Sequence, residues 1–233
     1  MTLIYMAWPG IIKSHLEDTT IEDVLKTFEG HYVKKQYEEA LQFLLKHKGQ
    51  ISSELLDYNL GTVYAQLGNY PLSRYYLLMA EQKGFKTKQT YQNLKYIEEK
   101  LEVSRLEKPL TIQDYLIKTG LAVSDGFLLT LSLVVLIIGL VILKKKRSLL
   151  SISIFGLAVI LPILLNLWIN SWNQSIITKT TSLYSGPSAI FETSGEIPAG
   201  VRVLIKGDTE WKEILYPSRF HGWIKNSDFK RLE

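Results

Sequence analysis

The pattern of hydrophobic and polar positions divides the chain into three textures. The first 100 residues mix scattered apolar positions with Lys, Glu, Gln and Tyr. A nearly uncharged block follows, broken once by four cations, Lys144, Lys145, Lys146 and Arg147. From residue 178 onward, short β-branched runs alternate with Gly, Pro and Ser. Three textures imply three physical environments: a helical part, a strongly apolar part and a β part.

The helical part contains a repeat. KKQYEEALQFLL (34–45) and LGNYPLSRYYLL (67–78) align 33 residues apart, matching Tyr37 with Tyr70, Ala40 with Ser73, and Leu44 and Leu45 with Leu77 and Leu78. Asn59-Leu60 returns as Asn93-Leu94 after 34 residues. Periods of this size point to stacked helix-turn-helix units. The second unit, DYNLGTVYAQLGNYPLSRYYLLMAEQKG, resembles a tetratricopeptide repeat. Leu60, Gly61 and Tyr64 fit its first helix, Gly68 and Tyr70 the turn, and Leu77 and Ala80 its second helix. Gly61 lets the paired helices approach closely, with Tyr64 and Leu77 filling the space between them. Ser73 departs from the alanine usual in the family, and Phe28 takes the small-residue position of the first unit. A third helix over 89–101 caps the stack. The expectation is an all-α tetratricopeptide-repeat array over 21–104. The resemblance places Tyr58, Asn59, Thr62, Gln66 and Asn93 on a concave face that docks a peptide or protein partner. The other reading makes them ordinary polar surface residues.

Residues 105–125 are expected to form a juxtamembrane amphipathic segment. Pro109 ends the preceding helix, and Thr111 with Asp114 forms a capping box. Ile112, Tyr115, Leu116 and Thr119 line one face, to rest on a membrane surface or on the array. Then comes GFLLTLSLVVLIIGLVIL (126–143), 18 residues without a charge, which as a helix would cover roughly 27 Å. A second uncharged run occupies 148–172, with 149–171 as the expected span and Trp168 and Trp172 placed for an interfacial belt. These runs predict a two-helix transmembrane hairpin, with 144–148 as its basic turn. Lys and Arg in short loops stay cytoplasmic, so both flanking domains are expected outside. A translocated N-terminal domain needs a signal. MTLIYMAWPGII, within the segment 1–20, is either the remnant of one or simply a helix or strand.

The β part covers 178–233. The runs TTSLY, AIFETSGEI, VRVLIKG and WKEILYPSRFHGWIK predict five short strands and a small all-β barrel. The marks Ser185-Gly186-Pro187-Ser188, EIPAG (196–200), Trp211-Lys212-Glu213-Ile214 and Gly222-Trp223-Ile224 resemble a bacterial SH3-like domain. In that resemblance Tyr184, Trp211 and Trp223 form an aromatic ligand groove. A barrel this small has few large apolar residues, so at least one Trp is expected to serve as core.

Charge and candidate chemistry change the picture little. The net charge is +4, which the four-cation cluster alone could supply, and no Lys/Arg stripe interleaved with aromatics suggests nucleic acid. Cys is absent, which excludes disulfides and thiolate chemistry. His15, His31, His47 and His221 are scattered, and no metalloprotease, nucleophile-elbow or phosphate-loop motif occurs. The reading is of a non-enzyme with no cofactor and no metal.

The order of parts resembles the BatE proteins of the bacterial aerotolerance operon. That resemblance implies an inner-membrane scaffold with both soluble domains in the periplasm, in contact with membrane lipid. Its implied partners are von Willebrand A-type Bat proteins and a MoxR-type ATPase, in an envelope or oxidative-stress complex. The alternative is a cell-envelope sensor that binds peptidoglycan through the SH3-like domain.

Overall fold

The structure is a computed structural model that describes residues 19–122, 125–145, 172–207 and 209–232, with a few positions between 153 and 168. The chain falls into two compact units. One joins Met1–Lys108 to Gln174–Glu233, and the other is Pro109–Asn173.

Five helices lead the first unit: α1 (Thr19–Val33), α2 (Tyr37–Lys46), α3 (Ser53–Gln66), α4 (Tyr70–Gln82) and α5 (Lys88–Lys100). Their starts have local causes. Asn69 caps α4 by accepting the Leu72 N–H at 3.2 Å, and Pro71 occupies the first turn, where a missing N–H costs little. Thr87 caps α5 by accepting the Thr90 N–H at 3.1 Å. α3 and α4 approach closely at Gly61. A Cβ added to Gly61 would stand 2.7 Å from Leu77 Cγ and 2.9 Å from its Cδ2, so glycine is what lets the pair close. Ser73 uses its extra hydroxyl to donate to the Gly61 carbonyl at 2.7 Å, tying the same two helices together. Phe28, Tyr32, Ala40, Leu44, Leu60 and Val63 form one apolar cluster under α1, α2 and α3. Tyr58, Leu77, Leu94 and Ile97 form the next, under α3, α4 and α5.

After α5 the short helix α6 (Val103–Leu106) ends ahead of Pro109, as expected of that residue. The second unit holds α7 (Ile112–Ala122) and α8 (Asp125–Lys145). The capping box is present. Thr111 Oγ1 accepts the Asp114 N–H at 3.0 Å, and Asp114 Oδ2 accepts the N–H groups of Leu110 and Thr111 at 3.1 and 3.4 Å. Ile112, Tyr115 and Leu116 stand exposed together on α7. Trp168 and Trp172 meet edge-on, with ring centroids 4.8 Å apart.

The β strands complete the first unit: β1 (Gln174–Ile177), β2 (Thr181–Tyr184), β3 (Thr193–Ile197), β4 (Arg202–Lys206), β5 (Trp211–Tyr216), β6 (Gly222–Lys225) and β7 (Phe229–Arg231). They form one antiparallel sheet in the order β3-β2-β6-β5-β4-β1-β7. Ile197 from one edge strand and Phe229 from the other share a core with Ile177, Leu183, Val203, Ile214 and Ile224. The sheet therefore curls around its own apolar face.

Two parts of the expected fold class are corrected. The two-helix transmembrane hairpin is not seen: among the described residues no helix is long and apolar enough to cross a membrane. An uncharged run supplies apolar length, but a hairpin also needs a second continuous helix against the first. The second expected span, 149–171, lies for the most part outside the described residues. The expected five-strand barrel, independent of the array, is instead a seven-stranded sheet built into the same compact unit as the helices. β1 precedes the expected start at 178 and pairs with β7 through Ser175↔Arg231, Ile176↔Lys230 and Ile177↔Phe229. These strands of four and three residues are too short for a periodic signal, and a pairing across more than 50 positions is fixed by tertiary structure alone. Ile176, inside that pairing, and Leu232, just after β7, join the apolar cluster of α3, α4 and α5.

Candidate functional site

The array and the sheet meet at Arg74. This α4 residue is only 2% exposed. Its Nη1 donates to Glu107 Oε1 at 2.6 Å and to the Gly200 carbonyl at 2.6 Å, while Nη2 donates to Glu98 Oε1 at 2.9 Å. Glu107 follows α6 directly and accepts the Arg202 backbone N–H through the same Oε1 at 2.6 Å. Its carbonyl accepts from Tyr216 Oη at 3.3 Å. One carboxylate thus holds a helix, a connector and the sheet. Burial pulls the Arg74 guanidinium toward neutrality, but Glu107 and Glu98 outweigh it and hold the pKa above its ordinary value. Arg202 moves the other way, lowered by burial and then by the charge of Arg74. Gly200 permits the approach: its φ is +90°, and a Cβ there would lie 2.6 Å from Leu101 Cδ1.

The residues expected on the concave face of the array are largely interior. Tyr58, Asn59, Thr62 and Asn93 are all buried, and Gln66 is half-buried. Asn93 Nδ2 donates to Tyr58 Oη at 3.2 Å, Thr62 Oγ1 to the Asn59 carbonyl at 2.8 Å, and Gln66 Nε2 to Tyr32 Oη at 3.1 Å. Burial pushes the Tyr32 phenol up to about 12. Tyr58, Asn59, Thr62 and Gln66 lie on α3 and Asn93 on α5. What spacing does not carry is which face the rest of the chain covers.

The three aromatics expected to line the groove do come together. Tyr184 pairs with Trp223 across β2 and β6, Trp223 with Glu213 across β6 and β5, and Trp211 with Lys225 on the same two strands. Strand alternation therefore puts all five on one face, opposite the core residues Ile214 and Ile224. Trp211 is buried and forms the floor. Tyr184 stands edge-on to it at 5.0 Å between centroids, and Lys225 Nζ lies 5.2 Å from its ring centre. Tyr184 and Trp223 are half-exposed. Just beyond Tyr184, the loop between β2 and β3 exposes Ile190 and Phe191, with the Phe191 ring lying against Gly186. The face can take a flat or extended ligand by stacking, with Lys225 and Glu213 fixing its charge pattern.

Of the cations expected to mark topology, Lys144 and Lys145 close α8, and Lys146 and Arg147 lie outside the described residues. Sequence reasoning missed Arg74, Glu107 and the residues around Lys230. An arginine between Ser73 and Tyr75 inside a repeat looks like surface charge, and nothing local reveals its carboxylate partner 33 positions away.

Comparison with known proteins returns no matching family model, no similar curated protein and no solved structure of similar fold.

Proposed function

We propose that the protein is a non-enzymatic, membrane-associated scaffold that docks protein partners on a rigid body made of a helical repeat array and an aromatic-faced sheet. The observation that supports this reading is the Arg74–Glu107–Gly200 junction, which ties the array to the sheet. A rigid junction suits a protein whose task is to hold partners in relation to one another, because preorganisation lowers the cost of binding. Membrane association is supported by the apolar side chains that α8 exposes, among them Leu133, Ile137, Ile138 and Val141. The partner classes to examine are those the BatE resemblance brings, a von Willebrand A-type protein and a MoxR-type ATPase.

The test is recovery of a defined partner with the full chain in mild detergent. Retention by the native chain and loss from Gly61→Phe would support docking on the array. A chain with an unfolded array that still holds the same partner would refute it. The side of the membrane is tested by single-cysteine labelling, since the chain has no Cys of its own. Exposed Ser53 and Ser185 are suitable positions. Labelling of both from outside intact cells is the periplasmic outcome, and protection of both places the unit inside.

A second reading, a cell-envelope sensor, is favoured by the shared face of Tyr184, Trp211 and Trp223. It predicts that the full chain sediments with purified cell wall and that Trp223→Ala stops it. Equal sedimentation of the variant would remove this reading. The whole chain is required, because β1 and the helices both support the sheet.

A further inference from the structure

Tyr64 of α3 and Tyr75 and Tyr76 of α4 form a half-buried aromatic cluster. Tyr64 and Tyr76 stack, with centroids 5.4 Å apart and planes 5° apart. Tyr75 stands edge-on to Tyr76 at 5.0 Å and 76°. Into this corner β7 sends Lys230. Its Nζ lies 5.3 Å from the Tyr75 ring centre and 5.4 Å from that of Tyr76. An ammonium held almost equally by two aromatic rings set nearly at right angles is the arrangement by which aromatic faces bind alkylammonium groups.

Lys230 is not required to bury the strand that carries it. Phe229 before it enters the core of the sheet, and Leu232 after it enters the apolar cluster of α3, α4 and α5. Lys230 itself is exposed and forms no ion pair with a carboxylate among the described residues. The tyrosines thus give a solvent-accessible cation a specific seat, on a strand already anchored at both sides. A cation–π contact at an exposed site is weak, so such an occupant exchanges readily. Its tether still gives it an effective concentration in the millimolar range, which disfavours a free competitor.

We propose that the Tyr64–Tyr75–Tyr76 cleft is a recognition site for a lysine-type alkylammonium group, filled in cis by Lys230 and made available to an exposed lysine of a protein partner when that side chain leaves. The identity of the occupant class comes from Lys230 itself. The partner half of the inference rests on the scaffold reading; the existence of the cleft does not.

The test uses the full chain in detergent, with n-butylammonium as the probe for a lysine side chain and the tyrosine ring signals followed by NMR. Lys230→Ala should bind the probe about three- to sixfold more tightly than the native chain, because its tethered competitor is gone. Lys230→Arg, which keeps a cation, should bind like the native chain. In the Lys230→Ala background, Tyr76→Phe should retain binding and Tyr76→Leu should lose most of it. Equal binding by the native chain and Lys230→Ala, or undiminished binding after Tyr76→Leu, would overturn the cleft. If the probe follows the expected pattern while no partner is recovered with the chain, the cleft stands and the scaffold reading falls. If a partner is recovered equally with and without Tyr76→Leu, the scaffold stands and the cleft has no part in docking.

Discussion

Arg74 Nη1 and Glu107 Oε1 lie 2.6 Å apart in a buried site, and through them α4 is joined to the sheet at Gly200 and Arg202. Removing Arg74 takes away the guanidinium that Glu107 meets in the buried site, and removing Glu107 leaves the buried Arg74 with Glu98 and the Gly200 carbonyl. Arg74→Met and Glu107→Leu are each expected to lower stability by roughly 3–5 kcal/mol, whereas the double replacement Arg74→Met/Glu107→Leu should cost clearly less than the sum of the single changes. Denaturant unfolding of the three variants measures this. Strict additivity would show that the pair does not hold the junction.

Gly61 and Leu77 define a second, purely steric coupling. Gly61→Ala places a methyl group 2.7 Å from Leu77 Cγ, so it should destabilise by about 1–3 kcal/mol despite the better helix propensity of alanine. Adding Leu77→Ala removes the atoms in conflict. The double variant should then be more stable than the sum of the two single losses predicts. Thermal unfolding of the set is sufficient, and a stabilising Gly61→Ala would contradict the close approach.

Gly200 combines close contact with a left-handed backbone. Gly200→Ala brings a Cβ to 2.6 Å from Leu101 Cδ1 at a φ of +90°, and it disturbs the carbonyl that Arg74 binds. A loss of about 2 kcal/mol or more is expected, with the array and the sheet losing protection together in hydrogen exchange. Loss of protection confined to the sheet would show that the junction does not transmit it.

The acid limb of stability should depend on Asp228. Burial pushes its carboxyl up, but hydrogen bonds from Lys179, Ser227 and Thr181 prevail and hold it below the usual range. A depressed folded pKa means that the unfolded chain binds a proton first as pH falls. The stabilisation is therefore complete above the unfolded value of about 3.9 and is lost as pH drops through the folded value. Asp57 has the opposite sign, because burial raises it in spite of Lys83. Asp228→Asn should flatten the fall in melting temperature below pH 4, and Asp57→Asn should not.

On the aromatic face the three ring residues should separate by role. Trp211, buried beneath Tyr184 and Lys225, is part of the packing, so Trp211→Ala should cost about 3 kcal/mol or more. Trp223, half-exposed, should be replaceable by Ala at much smaller cost to stability but with loss of any ligand taken up by that face. Melting curves beside cell-wall sedimentation distinguish the two.

By itself the sequence determined what depends on near neighbours and fixed spacing. The repeat register put a helix over 89–101, where α5 runs Lys88–Lys100, and marked Gly61 as a place of close approach between paired helices. Thr111 and Asp114 declared their capping box, and the resemblance to an SH3-like domain grouped Tyr184, Trp211 and Trp223. What tertiary structure alone decided is which polar groups are buried and what they meet. Asn59, Thr62 and Asn93 read as a docking surface and are interior. Arg74 reads as surface charge and is the buried link to a carboxylate and a carbonyl 33 and 126 positions away. β1 finds β7 only because the two ends of the strand region return to the same edge of the sheet. The apolar middle gave length, so composition predicted a hairpin, and among the described residues no helix is long and apolar enough to cross a membrane. Local pattern fixes periodicity, which is a property of a few consecutive side chains. Burial is a property of whatever the rest of the chain brings to the same place, and no short window of sequence contains it.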